Sequence, residues 1–168
     1  EFQEIEECIC PGPGSCSMMG TANSTSCLTE VLGLSLPGCG TAHAVHSKKL
    51  RMARESGEQI MMLFGTNLKP SRIMTPAAMT NAITASMALG GSSNVVLHLL
   101  ALANELNIPL SLETFDALSR RTPFLCSIRP SGKYPLLGLE EAGGMPALLN
   151  AIQDLLDLGV GGRREGLF

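Results

Sequence analysis

The chain has 168 residues, of which 45% are hydrophobic and only 16% charged, with a net charge of −3 and no tryptophan. That balance supports a packed core but leaves few charges to solvate an outer face, as in a segment of a larger body. It excludes a basic nucleic-acid footprint, for Arg163-Arg164 is too short to make one, and the longest apolar run, Val95 to Ala103, falls short of the roughly 18 residues that span a bilayer.

The six cysteines are unevenly spaced and no secretory apolar segment opens the chain, so reduced thiols in a soluble, cytoplasmic protein are predicted. Cys10-Pro-Gly-Pro-Gly-Ser-Cys16 cannot be regular helix or strand. Pro11 and Pro13 fix φ and remove donors while Gly12 and Gly14 permit unusual dihedrals, which predicts a shaped loop delivering Cys16 to the start of a helix. A thiolate there would suit metal ligation or nucleophilic chemistry. The alternative is an inert thiol packed in a tight turn. Cys8, Cys10 and Cys16 together offer three thiols, but their spacing is not a regular zinc pattern.

Helices dominate the rest of the chain. Met18 to Leu32 reads as a closely packed helix ended by Gly33. Thr41 is read as the cap of a long helix with Val45, Met52, Ile60 and Phe64 on one face and Gly65 at its end. His43 and His46 would sit one turn apart on it. No carboxylate follows them at a metal-site spacing, so exposed or capping histidines are the simpler reading. Lys69 to Pro76 is a linker, and Ala77 to Leu89 a helix stopped by Gly90-Gly91. Ser93 or Asn94 caps a helix from Val95 to Leu106 that is apolar almost all round and expected to be buried on most sides, with His98 a core histidine.

Gly90-Gly-Ser-Ser-Asn94, opening that helix, would offer free N–H groups to a substrate carboxylate or phosphate, with Ser92 and Asn94 as pocket residues; the alternative is a turn with an N-cap. Ile108 to Leu110 reads as a short strand or an extended link. Ser111 caps Leu112 to Ser119, with Leu112, Phe115 and Leu118 inward, and Phe124 to Arg129 reads as a strand. Pro146 suits the first turn of a last helix whose stripe is Leu148, Leu149, Ile152, Leu155 and Leu156, ended by Gly159. Cys27, Cys39 and Cys126 are read as packed thiols, and the methionine pairs Met18-Met19 and Met61-Met62 as core filler. Lys133 is either a substrate-orienting residue or a solvated loop lysine.

The run from Cys10 to Leu36, centred on Gly-Ser-Cys-Ser-Met-Met-Gly-Thr-Ala-Asn23, resembles the iron–sulfur cysteine segment of the dihydroxy-acid dehydratase and 6-phosphogluconate dehydratase family. Ala88-Leu-Gly-Gly-Ser-Ser-Asn94 with Val95-Val-Leu-His-Leu-Leu100 resembles a second family block, Ser93 and Val95 standing where the family has threonines. Arg129-Pro-Ser-Gly-Lys-Tyr134 and Ala142-Gly-Gly-Met-Pro-Ala147 resemble the blocks after it. The tail Gly161 to Phe168 departs from the pattern.

The resemblance implies that residues 1–168 are one partial domain, the latter part of the family's N-terminal, cluster-binding α/β domain and predominantly helical in this fragment. It implies that Cys16 ligates a [2Fe–2S] or [4Fe–4S] cluster, soft thiolate sulfur matching the iron. It implies Mg2+ as a second cofactor, a homodimer for the full enzyme, and dehydration of 2,3-dihydroxy-3-methyl acids to 2-keto acids in branched-chain amino-acid synthesis. Leu34-Ser-Leu-Pro-Gly-Cys-Gly-Thr-Ala-His43 resembles that branch more than the sugar-acid branch, whose aldonic or 6-phosphogluconate substrates are the alternative. The family's magnesium-binding carboxylates, carbamylated lysine and serine base match no block here. Such a chain carries a cluster ligand and supporting walls but no catalytic residue of its own, and depends on the remainder of its parent enzyme. A catalytically incomplete helical interaction module is the reading from another class.

Overall fold

The computed structural model describes residues 2–8 and 13–159, with side chains from residue 2 to 5 and from 13 onward. Nine α-helices and one 3-10 turn account for the regular structure of those residues. They are α1 (Phe2–Cys8), α2 (Thr21–Val31), α3 (Ser47–Thr66), α4 (Pro70–Ile73), α5 (Pro76–Leu89), α6 (Asn94–Glu105), α7 (Leu112–Arg121), α8 (Leu136–Glu141), α9 (Gly144–Ala151) and the turn Gln153–Leu155.

Helix α5 lies at the centre. The Thr75 hydroxyl accepts the Ala78 N–H at 3.2 Å, Pro76 takes the first turn, and Gly90 closes the helix at φ +71°, a left-handed value that glycine adopts without steric cost. Ala78, Ala82, Ala85 and Ala88 are short enough to let α2, α6, α7 and α9 approach, and Met79, Ile83 and Leu89 fill the spaces between them. Cys27 and Leu28 of α2, Phe115 and Leu118 of α7, and Met145 and Leu148 of α9 complete the core. The last helix stops at Ala151, short of the expected end at Gly159; Ile152 still carries its stripe into the core, and Leu155 and Leu156 follow half-buried at the 3-10 turn.

Helix α6 is not the buried helix its composition suggests. Val95, Leu99 and Ala103 face the core, but Leu97 is 66% exposed and His98 is exposed as well. Among the described residues α5 is approached by α2, α6, α7 and α9, whereas α6 packs mainly against α2 and α5, so its outer face is left uncovered.

The long helix before α5 also departs from expectation. It begins at Ser47, where His46 Nδ1 accepts the Lys48 N–H at 3.1 Å, because the buried Thr41 hydroxyl donates to Glu140 instead of capping. His46 is thus a capping histidine, and His43 lies exposed before the helix. The helix runs past Gly65 to Thr66, with Asn67 in the left-handed region. Met52 is buried, but Val45, Ile60 and Phe64 are exposed, and of the paired methionines only Met19 is buried. Leu112 of α7 likewise faces outward.

Among the described residues the only β pairing is the isolated bridge between Ile128 and Tyr134. The expected strand from Phe124 to Arg129 does not form. The N–H groups of Leu125 and Cys126 both turn to the Ala88 carbonyl at the end of α5, at 2.8 and 3.2 Å, so the segment caps a helix and has no sheet partner. The described chain is therefore predominantly helical. No helix among these residues is long and apolar enough to cross a membrane.

Candidate functional site

Cys16 is exposed on a loop and does not stand at a helix start. Helix α2 begins later, at Thr21, with Gly20 as its N-cap and no side-chain capping bond. The macrodipole, which acts within the first turn, is therefore not what presents this thiol. The loop's shape is. Gly14 has φ +89°, and a Cβ on it would sit 2.6 Å from the Ala44 Cβ, so the chain turns tightly against the Thr41–His46 segment.

Three separate parts of the molecule hold this loop. The Met19 N–H donates to the Arg129 carbonyl at 2.6 Å, and the Leu136 N–H donates to the Ser17 carbonyl at 2.9 Å. The third anchor is Asn23, on the first turn of α2. Its amide nitrogen donates to the carbonyls of Cys16 and Met18, each at 2.6 Å, while its Oδ1 accepts the Ser15 hydroxyl at 2.7 Å. The segment that resembles the family's Arg129–Tyr134 block, with Leu136 just after it, thus reaches the cysteine loop. Asn23 lies inside the cysteine motif, but nothing in its local pattern marks it as an anchor, because its partners are carbonyls and a hydroxyl of the preceding loop.

The same first turn of α2 meets the Ser92–Asn94 loop. The Ser24 hydroxyl accepts the Ser92 N–H at 2.9 Å, and the Asn94 amide donates to the Thr21 hydroxyl. The Asn94 N–H turns to the Ser92 hydroxyl at 3.3 Å, and the Val95 and Val96 N–H groups to the Ser92 and Ser93 carbonyls. The free N–H groups expected at this helix start are internally paired. Ser92 and Asn94 accordingly sit beside the turn that supports the Cys16 loop, the Ser92 N–H and the Asn94 side-chain amide bonded to α2.

Cys27 is a packed thiol, as its pattern predicts. Burial first, then the charges of Glu30 and Cys126, push its pKa up to about 12. Cys126 is half-buried and raised by burial, and Cys39 is half-buried with its carbonyl held by Lys49 Nζ at 2.7 Å. Lys133 is exposed. The Cys8 side chain, Cys10 with Pro11 and Gly12, and the tail from Gly161 lie outside the described residues.

A second polar centre locks the loop after α2. Glu30 accepts the Gly38 and Gly40 N–H groups, each at 2.6 Å; burial raises its pKa against the lowering effect of those bonds and of Lys48. Glu140 on α8 accepts from Thr41 and, at 2.8 Å, from Lys48 Nζ. Burial opposes its ionisation, but these two bonds and the charges of Lys48 and His46 outweigh it and hold the carboxyl below its ordinary value.

No group of three metal-ligating side chains occurs among the described residues. The donor that fits an iron–sulfur cluster is one exposed soft thiol on a firmly anchored loop, which suits a single corner of a cluster completed by donors from elsewhere.

The profile of the dihydroxy-acid/6-phosphogluconate dehydratase N-terminal family matches residues 1–161. Similar proteins include the dihydroxy-acid dehydratase of Methanosphaera stadtmanae, 46% identical over 158 residues that cover 94% of this chain and 29% of the relative. That of Methanothermobacter thermautotrophicus is 49% identical over 155 residues, 92% of this chain and 28% of the relative. Dihydroxy-acid dehydratase 1 of Methanosarcina acetivorans is 51% identical over 158 residues, 94% of this chain and 29% of the relative. The chain spans less than a third of the length of these relatives.

Proposed function

The chain belongs to the dihydroxy-acid/6-phosphogluconate dehydratase family, and we propose that it forms part of an iron–sulfur hydro-lyase that converts 2,3-dihydroxy-3-methyl acids to 2-keto acids in branched-chain amino-acid synthesis. The names of the similar proteins favour this branch over the sugar-acid branch. The observation that carries the reading is the exposed thiol of Cys16 on a loop anchored from three sides, inside the matched segment.

When bound, a [2Fe–2S] or [4Fe–4S] cluster supplies Lewis acidity toward a departing hydroxyl, and Mg2+ supplies charge for the substrate's carboxylate end. Cys16 contributes one thiolate to that cluster. The bonds from Asn23, Arg129 and Leu136 fix the backbone from which its sulfur projects, so that it is held for ligation with little ordering cost. Ser92 and Asn94 form a wall of the substrate pocket by bracing the first turn of α2. Cys27, buried and protonated, takes no part in ligation.

The remaining cluster thiolates, the magnesium ligands and the group that removes the substrate's C2 proton come from the rest of the parent enzyme, a cytoplasmic homodimer in this reading. Residues 1–168 form one partial domain of it. The test compares Cys16→Ser and Cys27→Ser in the full-length enzyme, prepared anaerobically, by iron per chain, charge-transfer absorbance and 2-keto acid formation. Cys16→Ser is expected to lose cluster and turnover, because a hydroxyl is a harder and far more basic donor; Cys27→Ser keeps both. Full iron content and normal turnover in Cys16→Ser would overturn the reading. Turnover of a sugar acid and not of a dihydroxy-methyl acid by the unaltered enzyme would move it to the other branch.

A further inference from the structure

We infer that Asn23 is the positioning residue that aims the Cys16 sulfur, acting on the cluster through the backbone of the loop and not by touching it. The inference rests on the reading of Cys16 as a cluster ligand and deepens it.

Asn23 is 3% exposed, and its side chain uses both kinds of hydrogen-bonding atom it possesses. The amide nitrogen bridges the carbonyls of Cys16 and Met18 at 2.6 Å each, and the amide oxygen takes the Ser15 hydroxyl at 2.7 Å. Residues on either side of Cys16, and Cys16 itself, are thereby bonded to one planar group. Asparagine is a poor helix former, and at the third position of α2, behind the Gly20 N-cap, its amide turns back to bond the loop that leads into the helix.

The platform beneath it is rigid. Ser24, Cys27 and Leu28 of α2 are buried in the core, so the amide is fixed relative to α5 and α9. Because the Cys16 carbonyl is held, rotation of the Cys16 peptide is restricted, and with it the direction of the bond that carries sulfur. Groups that orient metal ligands from behind are worth about 10- to 100-fold in metal affinity.

An aspartate at this position has the same shape but no donor. It would keep the Ser15 bond while setting a carboxylate against two carbonyl oxygens. Asn23→Asp in the full-length enzyme is therefore expected to release iron to a chelator more readily than the unaltered enzyme, with an affinity about 10- to 100-fold lower. The electron paramagnetic resonance spectrum of its reduced cluster is expected to broaden or shift. Ser15→Ala, which removes only the bond to the amide oxygen, is expected to move both readouts in the same direction by less. Thr84→Ala, which removes a buried hydroxyl that bonds the Thr80 carbonyl within α5, supplies the comparison: it lowers the melting temperature and leaves the cluster spectrum unchanged.

Asn23→Asp with unaltered iron release and an unaltered spectrum, whatever its melting temperature, overturns the proposal. Should Asn23→Asp not fold, Ser15→Ala decides alone, and wild-type behaviour in both readouts overturns it. If Cys16→Ser keeps its cluster, the ligand assignment itself has failed. If Cys16→Ser loses the cluster and Asn23→Asp does not affect it, only the role of Asn23 has failed.

Discussion

The hydroxyl of Ser24, fully buried on α2, accepts the backbone N–H of Ser92 at 2.9 Å and so ties the turn behind the cysteine loop to the start of α6. Ser24→Ala leaves that N–H without its partner at a part-buried contact. The expected cost is about 1–3 kcal/mol, the penalty of an orphaned donor. Denaturant unfolding measures it, and hydrogen exchange at Ser92 is expected to quicken. Unchanged stability together with unchanged exchange would show that this bond does not hold the two segments together.

The two thiols of α2 and its leading loop should behave oppositely toward an alkylating reagent. Iodoacetamide is expected to label Cys16 in the folded chain and to spare Cys27 until denaturant is added, as peptide mapping by mass spectrometry would show. The same burial gives an alkaline signature. An unfolded thiol ionises near the ordinary value of 9.0, whereas native Cys27 stays protonated to about 12. Its contribution is thus complete below pH 9 and lost between 9 and 12. Cys27→Ala should flatten the fall of stability across that window.

Lys48 links α3 to Glu140 of α8 and also favours ionised Glu30. Glu140 has a lowered pKa in the fold, so its contribution is present above the ordinary carboxylate value and fades as pH falls through the lowered one. Glu30, raised by burial, runs in the opposite sense, being most favourable below its ordinary value. Removing Lys48 disfavours both anions. Lys48→Met is expected to cost about 1 kcal/mol at neutral pH, a modest figure for a partly exposed pair, and the difference should vanish in acid once both carboxyls are protonated. A difference that persists at pH 2 would assign the effect to packing of the lysine stem.

Leu50, Met61 and Phe64 line one side of α3 and are 79%, 67% and 83% exposed. The 168-residue chain on its own is expected to bind a hydrophobic dye and to self-associate in light scattering. Leu50→Lys with Phe64→Lys should reduce both without lowering the melting temperature, since neither side chain packs in the core. A monodisperse monomer that binds no dye would contradict the expectation.

Much of this is local chemistry and can be read along the chain. Gly90 closes α5 where the sequence places its stop because the left-handed turn needs only neighbouring residues, and the proline–glycine run announces the Cys16 loop for the same reason, whereas Thr75 and Pro76, read as the end of a linker, prove to cap and open the helix. Buried Cys27 and the stripe from Leu148 to Ile152 follow from helical spacing. Other features depend on partners far away in sequence. Thr41 reads as a cap until Glu140 claims its hydroxyl, and the Phe124–Arg129 segment reads as a strand until the Ala88 carbonyl takes two of its N–H groups. The Ser92 N–H and the Asn94 side-chain amide look like free donors at a helix start, yet the Ser24 and Thr21 hydroxyls take them. A side chain's propensity is set within a turn of its own backbone, whereas its hydrogen-bond partner and its exposure are set by whichever distant element can approach it. That is why the cysteine is visible in the sequence, and why the way Asn23 holds it becomes visible only once the loop has folded back on α2.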